Sequence, residues 1–323
     1  MTSDRILASL IEGSAIPVKR HGLSGSIGSA GGNGGYEYSG THGYIWTNNA
    51  GKQLDVFEHG TTTNATNIAD YAVVTNQAPN AQNDTVIVML GGTPTGMDDI
   101  QEYTIGSASN ATSVADLVKA SGRTRSKAMD GTYGYILGGH QNNVTFDDIQ
   151  QFEFETTTDS TNLSLLSRDT CNQGGGINGN DKSIAYSIAG FSGSSNFGTI
   201  SSYEMGTGTT ATAIATERTS RDICSMQNTT YIFTGGGSDG QGVTKFEIGT
   251  TTNSAELGTM STNTASYGTS QSTTHGYLYG GNQSTAVSLS IYEYEFDTSA
   301  TITDVADLSV ASSGTNASGS GTP

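Results

Sequence analysis

A short apolar strand that ends in two glycines recurs throughout this chain. Its clearest copy reads Thr-Tyr-Gly-Tyr-Ile-Leu-Gly-Gly at residues 132–139. Further copies occupy residues 86–92, 230–236 and 274–281, and degraded ones occupy 185–190 and 41–51. The glycine pairs begin at residues 91, 138, 235 and 280, an Ala-Gly pair replaces them at 189, and the first copy ends near residue 50.

A repeat of roughly 40–50 residues that contains several short strands is typical of propeller blades. Six such units fit the 323 residues. We therefore expect an all-β fold, a six-bladed β-propeller of four-stranded antiparallel blades. The predicted propeller domain spans residues 23–323, and residues 1–22 form a separate extension.

Each unit predicts four strands. The innermost is rich in small residues, as at residues 125–129, 223–226 and 265–268, and the second ends in the glycine pair. The third alternates aromatic residues with carboxylates, as at residues 149–155 and 291–297, which favours packing of the aromatic side between blades. A Thr-rich turn and an outer strand complete the unit. Glycine suits the end of the second strand because it permits a positive φ and close approach.

Two segments compete to complete the first blade. The C-terminal residues 309–321 repeat the passage from an outer strand to an inner strand, so they could supply the missing inner strand and close the ring. Residues 24–30 could occupy the same place, and the sequence leaves this choice open.

The N-terminal extension predicts a short amphipathic helix. Its apolar face consists of Ile6, Leu7, Leu10 and Ile11. A helix this short needs a docking site. That site is either the propeller itself or a partner protein into which the extension inserts as an anchor.

The charge excludes some functions. A formal net charge of −17 and a pI near 4.4 repel nucleic acids and anionic membranes, and no segment predicts a targeting signal or a membrane span. The two cysteines, Cys171 and Cys224, are too few for a disulfide scaffold.

The repeat resembles kelch repeats over residues 24–323. The shared features are the glycine pair, the following Tyr/Phe strand and an arginine after the outer strand at Arg123, Arg168 and Arg218. The tryptophan usual in the third kelch strand is missing, since the single Trp46 lies on a second strand. The segments 273–277, 280–281 and 303–308 look like units of kelch-like proteins from marine bacteriophages.

That resemblance implies a non-enzymatic virion structural protein on the particle surface, in the tail or fibre adsorption apparatus, with a head decoration protein as one alternative and a kelch-type copper oxidase or hydrolase as another. Its partners would be other virion proteins, through the N-terminal segment, and a host-surface glycan or protein. The loops after the glycine pairs vary between units, as recognition loops do. The candidate recognition residues are Thr95, Met97, His140, Asn142, Asn196, Phe197, Asp239, Gln241 and Gln283.

No catalytic, cofactor or metal site is expected. Kelch-like copper oxidases need histidines and tyrosines that converge on one copper site, whereas the spacing of the five histidines in this sequence brings none together. Only His42 and His275 occupy the same position in their repeat units, just before the second strand, which suggests a shared packing or capping role. A hydrolase would need facing carboxylates. The pairs at 98–99 and 147–148 recur at equivalent places, which favours a repeated turn or at most a weak Ca²⁺ site.

Overall fold

The glycine-terminated strands form the second strands of six antiparallel sheets in a computed structural model of the chain, and the sheets are arranged as a six-bladed β-propeller. The predicted all-β, six-bladed propeller is confirmed, although within the described residues blade 4 has three strands rather than the expected four. The structure describes residues 40–47, 52–73, 78–92, 97–123, 127–141, 144–171, 183–237, 242–259, 264–265, 268–283, 286–296, 298, 302–312 and 318–321. The predicted helix and its residues 6, 7, 10 and 11 lie outside this part of the chain, as do residues 48–51 at the end of the first repeat.

In each blade the strands follow one another from the innermost outward. Blade 1 consists of β25 (Ser318–Gly321), β1 (His42–Thr47), β2 (Gln53–Glu58) and β3 (Thr66–Asp70). Blade 2 consists of β4 (Asn80–Gln82), β5 (Val86–Gly92), β6 (Met97–Thr104) and β7 (Thr112–Asp116). Blade 3 consists of β8 (Lys127–Met129), β9 (Tyr133–Gln141), β10 (Val144–Glu153) and β11 (Thr161–Thr170). Blade 4 consists of β12 (Ile184–Phe191), β13 (Asn196–Glu204) and β14 (Thr212–Ser220). Blade 5 consists of β15 (Ile223–Gln227), β16 (Tyr231–Gly236), β17 (Gly242–Glu247) and β18 (Ala255–Thr259). Blade 6 consists of β20 (Gly268–Gln271), β21 (His275–Tyr279), β23 (Ala286–Glu295) and β24 (Thr303–Ser312), and its sheet is extended by β19 (Thr264–Ala265) and β22 (Asn282–Gln283).

The C-terminal strand closes the ring. β25 pairs antiparallel with β1, from His42 opposite Gly321 to Ile45 opposite Ser318. The last residues of the chain thus supply the innermost strand of the first blade, which settles the alternative that the sequence leaves open. The innermost strand of blade 6 differs from the expectation: it is Gly268–Gln271 rather than residues 265–268.

The core is divided into six clusters of buried side chains, and each cluster joins two neighbouring blades. The period of two in a β-strand produces this arrangement. In β21, Tyr277 and Tyr279 pack against blade 1, whereas Leu278 packs against blade 5. Because both faces of every blade are covered, the second strands are apolar on both sides.

The glycine pairs lie where β-bulges interrupt the pairing of the second and third strands. At Gly91 and Gly92 φ is +60° and +116°. Blade 4 keeps this geometry with Ala189, at φ +52°, followed by Gly190. In blade 5 the pair with positive φ is Gly236–Gly237, one residue later than the repeat spacing predicts.

In four blades the turn between the third and outer strands connects to the neighbouring blade through an Asn or Asp at its end. In the clearest case the Asn253 side-chain oxygen accepts a hydrogen bond from the backbone N–H of Thr216 in blade 4 at 3.0 Å, and the N–H of Ser254 donates to the Thr216 carbonyl at 3.0 Å. The same acceptor role, over 2.9–3.1 Å, is played by Asn64, Asn110 and Asp159.

A second set of inter-blade hydrogen bonds starts from a buried polar residue two positions before the aromatic residue of the third strand. Gln150 is fully buried; its amide oxygen accepts from the Lys119 N–H at 3.0 Å and its amide nitrogen donates to the Lys119 carbonyl at 2.9 Å. Gln101 makes the same two bonds to Val73. Asp55 accepts two bonds from Ser309, and burial raises the pKa of its carboxyl.

Gly91→Ala tests the close approach at the glycine pair. A Cβ at this position would lie 2.6 Å from the Ser121 carbonyl oxygen and 2.9 Å from that of Met97. We expect the free energy of unfolding to fall by roughly 2–4 kcal/mol in denaturant titration. The matched control is Gly249→Ala, which has φ +80° but no atom within 4 Å of the new Cβ, and should cost only about 1–2 kcal/mol. Equal losses would contradict the packing explanation.

Gln150→Leu tests the polar bridge between blades 2 and 3. Both backbone groups of Lys119 would lose their partner, so unfolding should become easier by roughly 2–4 kcal/mol. The neighbouring substitution Gln151→Leu removes only a long 3.4 Å contact with the Tyr135 hydroxyl and should cost under about 1 kcal/mol. If both substitutions shift the denaturation midpoint equally, the hydrogen bonds between Gln150 and Lys119 do not stabilise the fold as proposed.

Candidate functional site

The hairpins between second and third strands, and the passages from an outer strand to the next inner strand, all lie on one side of the ring. This follows from the antiparallel order of the strands. We name this side the glycine-pair face, and the opposite side, which carries the Thr-rich turns, the turn face.

The structure places each described recognition candidate on the glycine-pair face. Met97 begins β6, His140 lies near the end of β9, and Gln283 belongs to β22. Asn196 and Phe197 begin β13. Of the side chains described, those of Met97, His140, Asn196 and Phe197 are half-buried. Residues 95, 142, 239 and 241 lie outside the described residues, so their predicted role stays a prediction.

Basic side chains lie over aromatic rings on this face. The Lys119 ammonium lies 4.2 Å from the centroid of the Phe146 ring. The Arg168 guanidinium lies 4.8 Å from the Phe197 ring, although the two residues belong to neighbouring blades. Such contacts fix the orientation of the arginine and leave its in-plane N–H groups available to a ligand.

Blade 4 carries two of these rings on one tight hairpin. Phe191 pairs with Asn196 across the turn, whose Ser192 N–H donates to the Ser195 carbonyl at 3.1 Å. The Arg221 guanidinium lies 5.3 Å from the Phe191 ring. The hairpin therefore presents two half-buried aromatic residues, each beside an arginine. This is the most clearly defined candidate contact surface in the described part of the chain.

His140 belongs to the frame of this face rather than to a free loop. Its backbone N–H and C=O both bond to Gly122, at 3.0 and 2.9 Å. Burial, and the nearby charge of Arg123, lower the pKa of its imidazole. The side chain is therefore held in its neutral form and can offer a hydrogen-bond donor and an acceptor to a ligand.

Charge is distributed unevenly between the two faces. Seven of the eight lysines and arginines in the described ranges lie at the glycine-pair ends of strands or in the passages beside them. On the turn face the third strand ends in a glutamate in five of the six blades: Glu58, Glu153, Glu204, Glu247 and Glu295. The described turns on this face contain no Lys or Arg. An acidic ligand would therefore approach the glycine-pair face more readily than the turn face.

The aspartate pairs have protein partners. The Asp99 carboxylate accepts from the Ser113 hydroxyl at 3.0 Å, and Asp148 pairs with Lys119 and Asn162. These contacts agree with the expected structural turn. Burial, with smaller contributions from Asp169 and Asp148, raises the pKa of Asp147. Within the described ranges no three His, Cys, Asp or Glu side chains are arranged to hold a metal ion.

Three histidines gather on the turn face at the junction of blades 6 and 1, an arrangement that the spacing in the sequence does not reveal. His42 and His275 do share a role: in each, the ring Nδ1 lies 2.8 Å from the hydroxyl of the preceding threonine. Both His42 and His275 lower the pKa of a third histidine, His59, through electrostatic repulsion. Within the described ranges these three histidines do not form a group that could hold a metal ion.

His59 and Ser270 form a hydrogen-bonded pair, with 2.7 Å between the imidazole Nε2 and the serine Oγ. A nucleophilic serine needs this contact and also access to a substrate. Ser270 is only 4% exposed and its hydroxyl also contacts the buried Tyr279. The pair therefore serves packing between blades.

In the part of the chain that the structure describes, no helix has the length and apolar character needed to cross a membrane. No protein-family model matches the sequence, and the comparison with curated proteins gives no match.

Proposed function

We propose that this chain is a non-enzymatic structural protein of a bacteriophage virion. In this proposal the propeller stands on the particle surface in the tail or fibre adsorption apparatus, residues 1–22 attach it to another virion protein, and the glycine-pair face contacts a host-surface glycan or protein.

The observation that carries the binding role is the contrast between strands and hairpins. The strands repeat from blade to blade and are fixed by six inter-blade clusters. The hairpins differ in sequence on this rigid frame, as loops that carry recognition do. The two aromatic side chains of the blade 4 hairpin and the arginines beside them, Arg168 and Arg221, offer ring stacking and directed hydrogen bonds, both of which suit an acidic sugar.

The virion assignment depends on the repeat style. The segments 273–277, 280–281 and 303–308 resemble units of kelch-like proteins of marine bacteriophages. In the structure, residues 275–281 and 303–308 form the second strand with its glycine pair and the outer strand of blade 6. These parts of the resemblance thus cover the second strand and the first part of the outer strand of a single blade, as a shared repeat unit requires.

Deletion of residues 1–20 tests the anchor. We expect the truncated protein to fold as a propeller but to be lost from purified particles by at least about tenfold, because the attachment would be removed. Quantitative immunoblotting of particles measures incorporation, and immunogold labelling of the full-length protein separates a tail from a head position. Unchanged incorporation of the truncated protein would refute the anchor.

Arg168→Ala tests the recognition surface. Loss of the guanidinium beside Phe197 should weaken binding to an acidic glycan or to host cells by roughly tenfold, or about 1.4 kcal/mol. The matched control is Lys245→Ala, because Lys245 makes a similar contact, 4.5 Å from the Tyr231 ring, away from the glycine-pair face. A glycan array and a cell-binding assay measure both variants. Equal binding by the two would contradict the assigned surface.

A further inference from the structure

The junction between blades 6 and 1 differs from the other five in how it is closed. Its continuity depends on the four residues of β25, which join the C-terminus of the chain to β1. We name this junction the closing seam and define it by Gly40, His59, Ser270, Tyr277 and Tyr279.

His59 connects the two sides of the closing seam through both ring nitrogens. Its Nδ1 lies 2.8 Å from the Gly40 carbonyl oxygen and its Nε2 lies 2.7 Å from the Ser270 hydroxyl. A carbonyl can only accept, so Nδ1 carries the proton and Nε2 accepts from Ser270. The Ser270 oxygen in turn accepts from Tyr279. This chain of bonds is complete with a neutral imidazole.

The ring of His59 also packs against blade 6. It stacks on Tyr277 with 4.3 Å between ring centroids and an interplanar angle of 2°, and the Tyr277 hydroxyl accepts from the Gly60 N–H at 3.0 Å. A proton added at Nε2 would place two donors face to face at the Ser270 contact. The hydroxyls of Ser270 and Tyr279 would then have to turn, in a site with little water.

Titratable groups lie on four strands around the seam, β1, β2, β21 and β23. His42 on β1 is the cross-strand partner of Glu58 on β2, and His275 on β21 is the partner of Glu295 on β23. Glu293, also on β23, bonds to Tyr277. The two histidines oppose a charge on His59, whereas the Gly40 bond favours one; burial is the largest effect, and together they lower its pKa to about 4.

We propose that the closing seam is an acid-sensitive latch: His59 joins blades 6 and 1 in its neutral form, and protonation of His59 opens the ring at this junction.

The direction of the pH effect follows from linkage. His59 is a base whose pKa in the closed ring, about 4, lies below the ordinary value near 6.5 of an exposed imidazole. The open form therefore binds the proton more tightly. The full contribution of His59 to ring closure is present above pH 6.5. Between pH 6.5 and 4 the equilibrium constant for closure falls about tenfold per pH unit, so that at pH 4.5 it is about 100-fold smaller.

Asp55, which bonds to Ser309 across the same seam, acts in the opposite direction. Burial raises the pKa of its carboxyl, so protonation favours the closed ring as the pH falls. Asp55→Asn removes this opposing titration and should make the effect of His59 easier to measure.

Amide hydrogen exchange of the full chain at pH 7.0 and 4.5, corrected for intrinsic exchange rates, tests the latch. The reporter amide is that of Ala65, whose N–H donates to the Asp307 carbonyl across the closing seam. The reference amides are Ser160 and Ser254, which make the corresponding bonds at other junctions. We expect protection at the seam to fall by about 100-fold more than protection at the references. Equal changes would overturn the proposal.

His59→Gln is the decisive variant and His140→Gln its control. His59→Gln should abolish the excess loss of protection at the seam at low pH, whereas His140→Gln should still show this loss. If His59→Gln lost protection at the seam as the unaltered chain does, the latch would be overturned. If His59→Gln does not fold, the ¹⁵N shifts of the His59 imidazole in the unaltered chain decide. Half-protonation near pH 4, together with opening of the seam, supports the proposal, whereas titration near pH 6.5 contradicts it.

Discussion

No blade of this propeller can bury its own apolar surface. A second strand such as Val86–Gly92 is buried on both faces, and each face is covered only by a neighbouring blade. Stability therefore depends on contact between blades, and a ring of six contacts is complete only when the first and last blades meet. The C-terminal strand, which follows blade 6 in the chain, makes that meeting by pairing with β1 of blade 1. Every other feature, from glycine pairs to polar bridges, allows sheets to approach one another closely enough for this packing.

The polar bridges show how the close approach is made compatible with hydrogen bonding. Backbone groups at the end of an outer strand would be buried by the next blade without a partner, which costs free energy. Gln101 and Gln150 supply a donor and an acceptor in the geometry of a neighbouring strand. In blade 5 the corresponding third-strand position is Thr244, and the carboxylate of Glu217 from blade 4 reaches it instead. At this junction the contact is therefore made by a side chain of the outer strand rather than by its backbone.

The sequence predicts the repeated parts of the fold and misses the parts that depend on two distant segments. The period of the glycine pair predicts six blades because each copy is one structural unit. It does not predict that Asn64, Asn110, Asp159 and Asn253 bind the preceding blade, since a turn looks the same whether or not it has a partner. The histidines of the closing seam are a similar case: His59 and Ser270 are 211 positions apart in the chain, and only ring closure brings them together. The candidate recognition face follows from topology, but the arginine and phenylalanine pairs on it require side-chain positions that spacing alone cannot give.

Truncation at the C-terminus measures the dependence of the whole fold on ring closure most directly. A chain that ends at residue 321 keeps β25 complete, and a chain that ends at residue 317 lacks it. We expect the first to unfold at the same denaturant concentration as the full chain. The second should lose at least about 3 kcal/mol of unfolding free energy and its single cooperative transition, because blade 1 would lack its innermost strand and the ring would be open. Identical cooperative transitions for both truncated chains would contradict the central claim that closure by the C-terminal strand holds the propeller together.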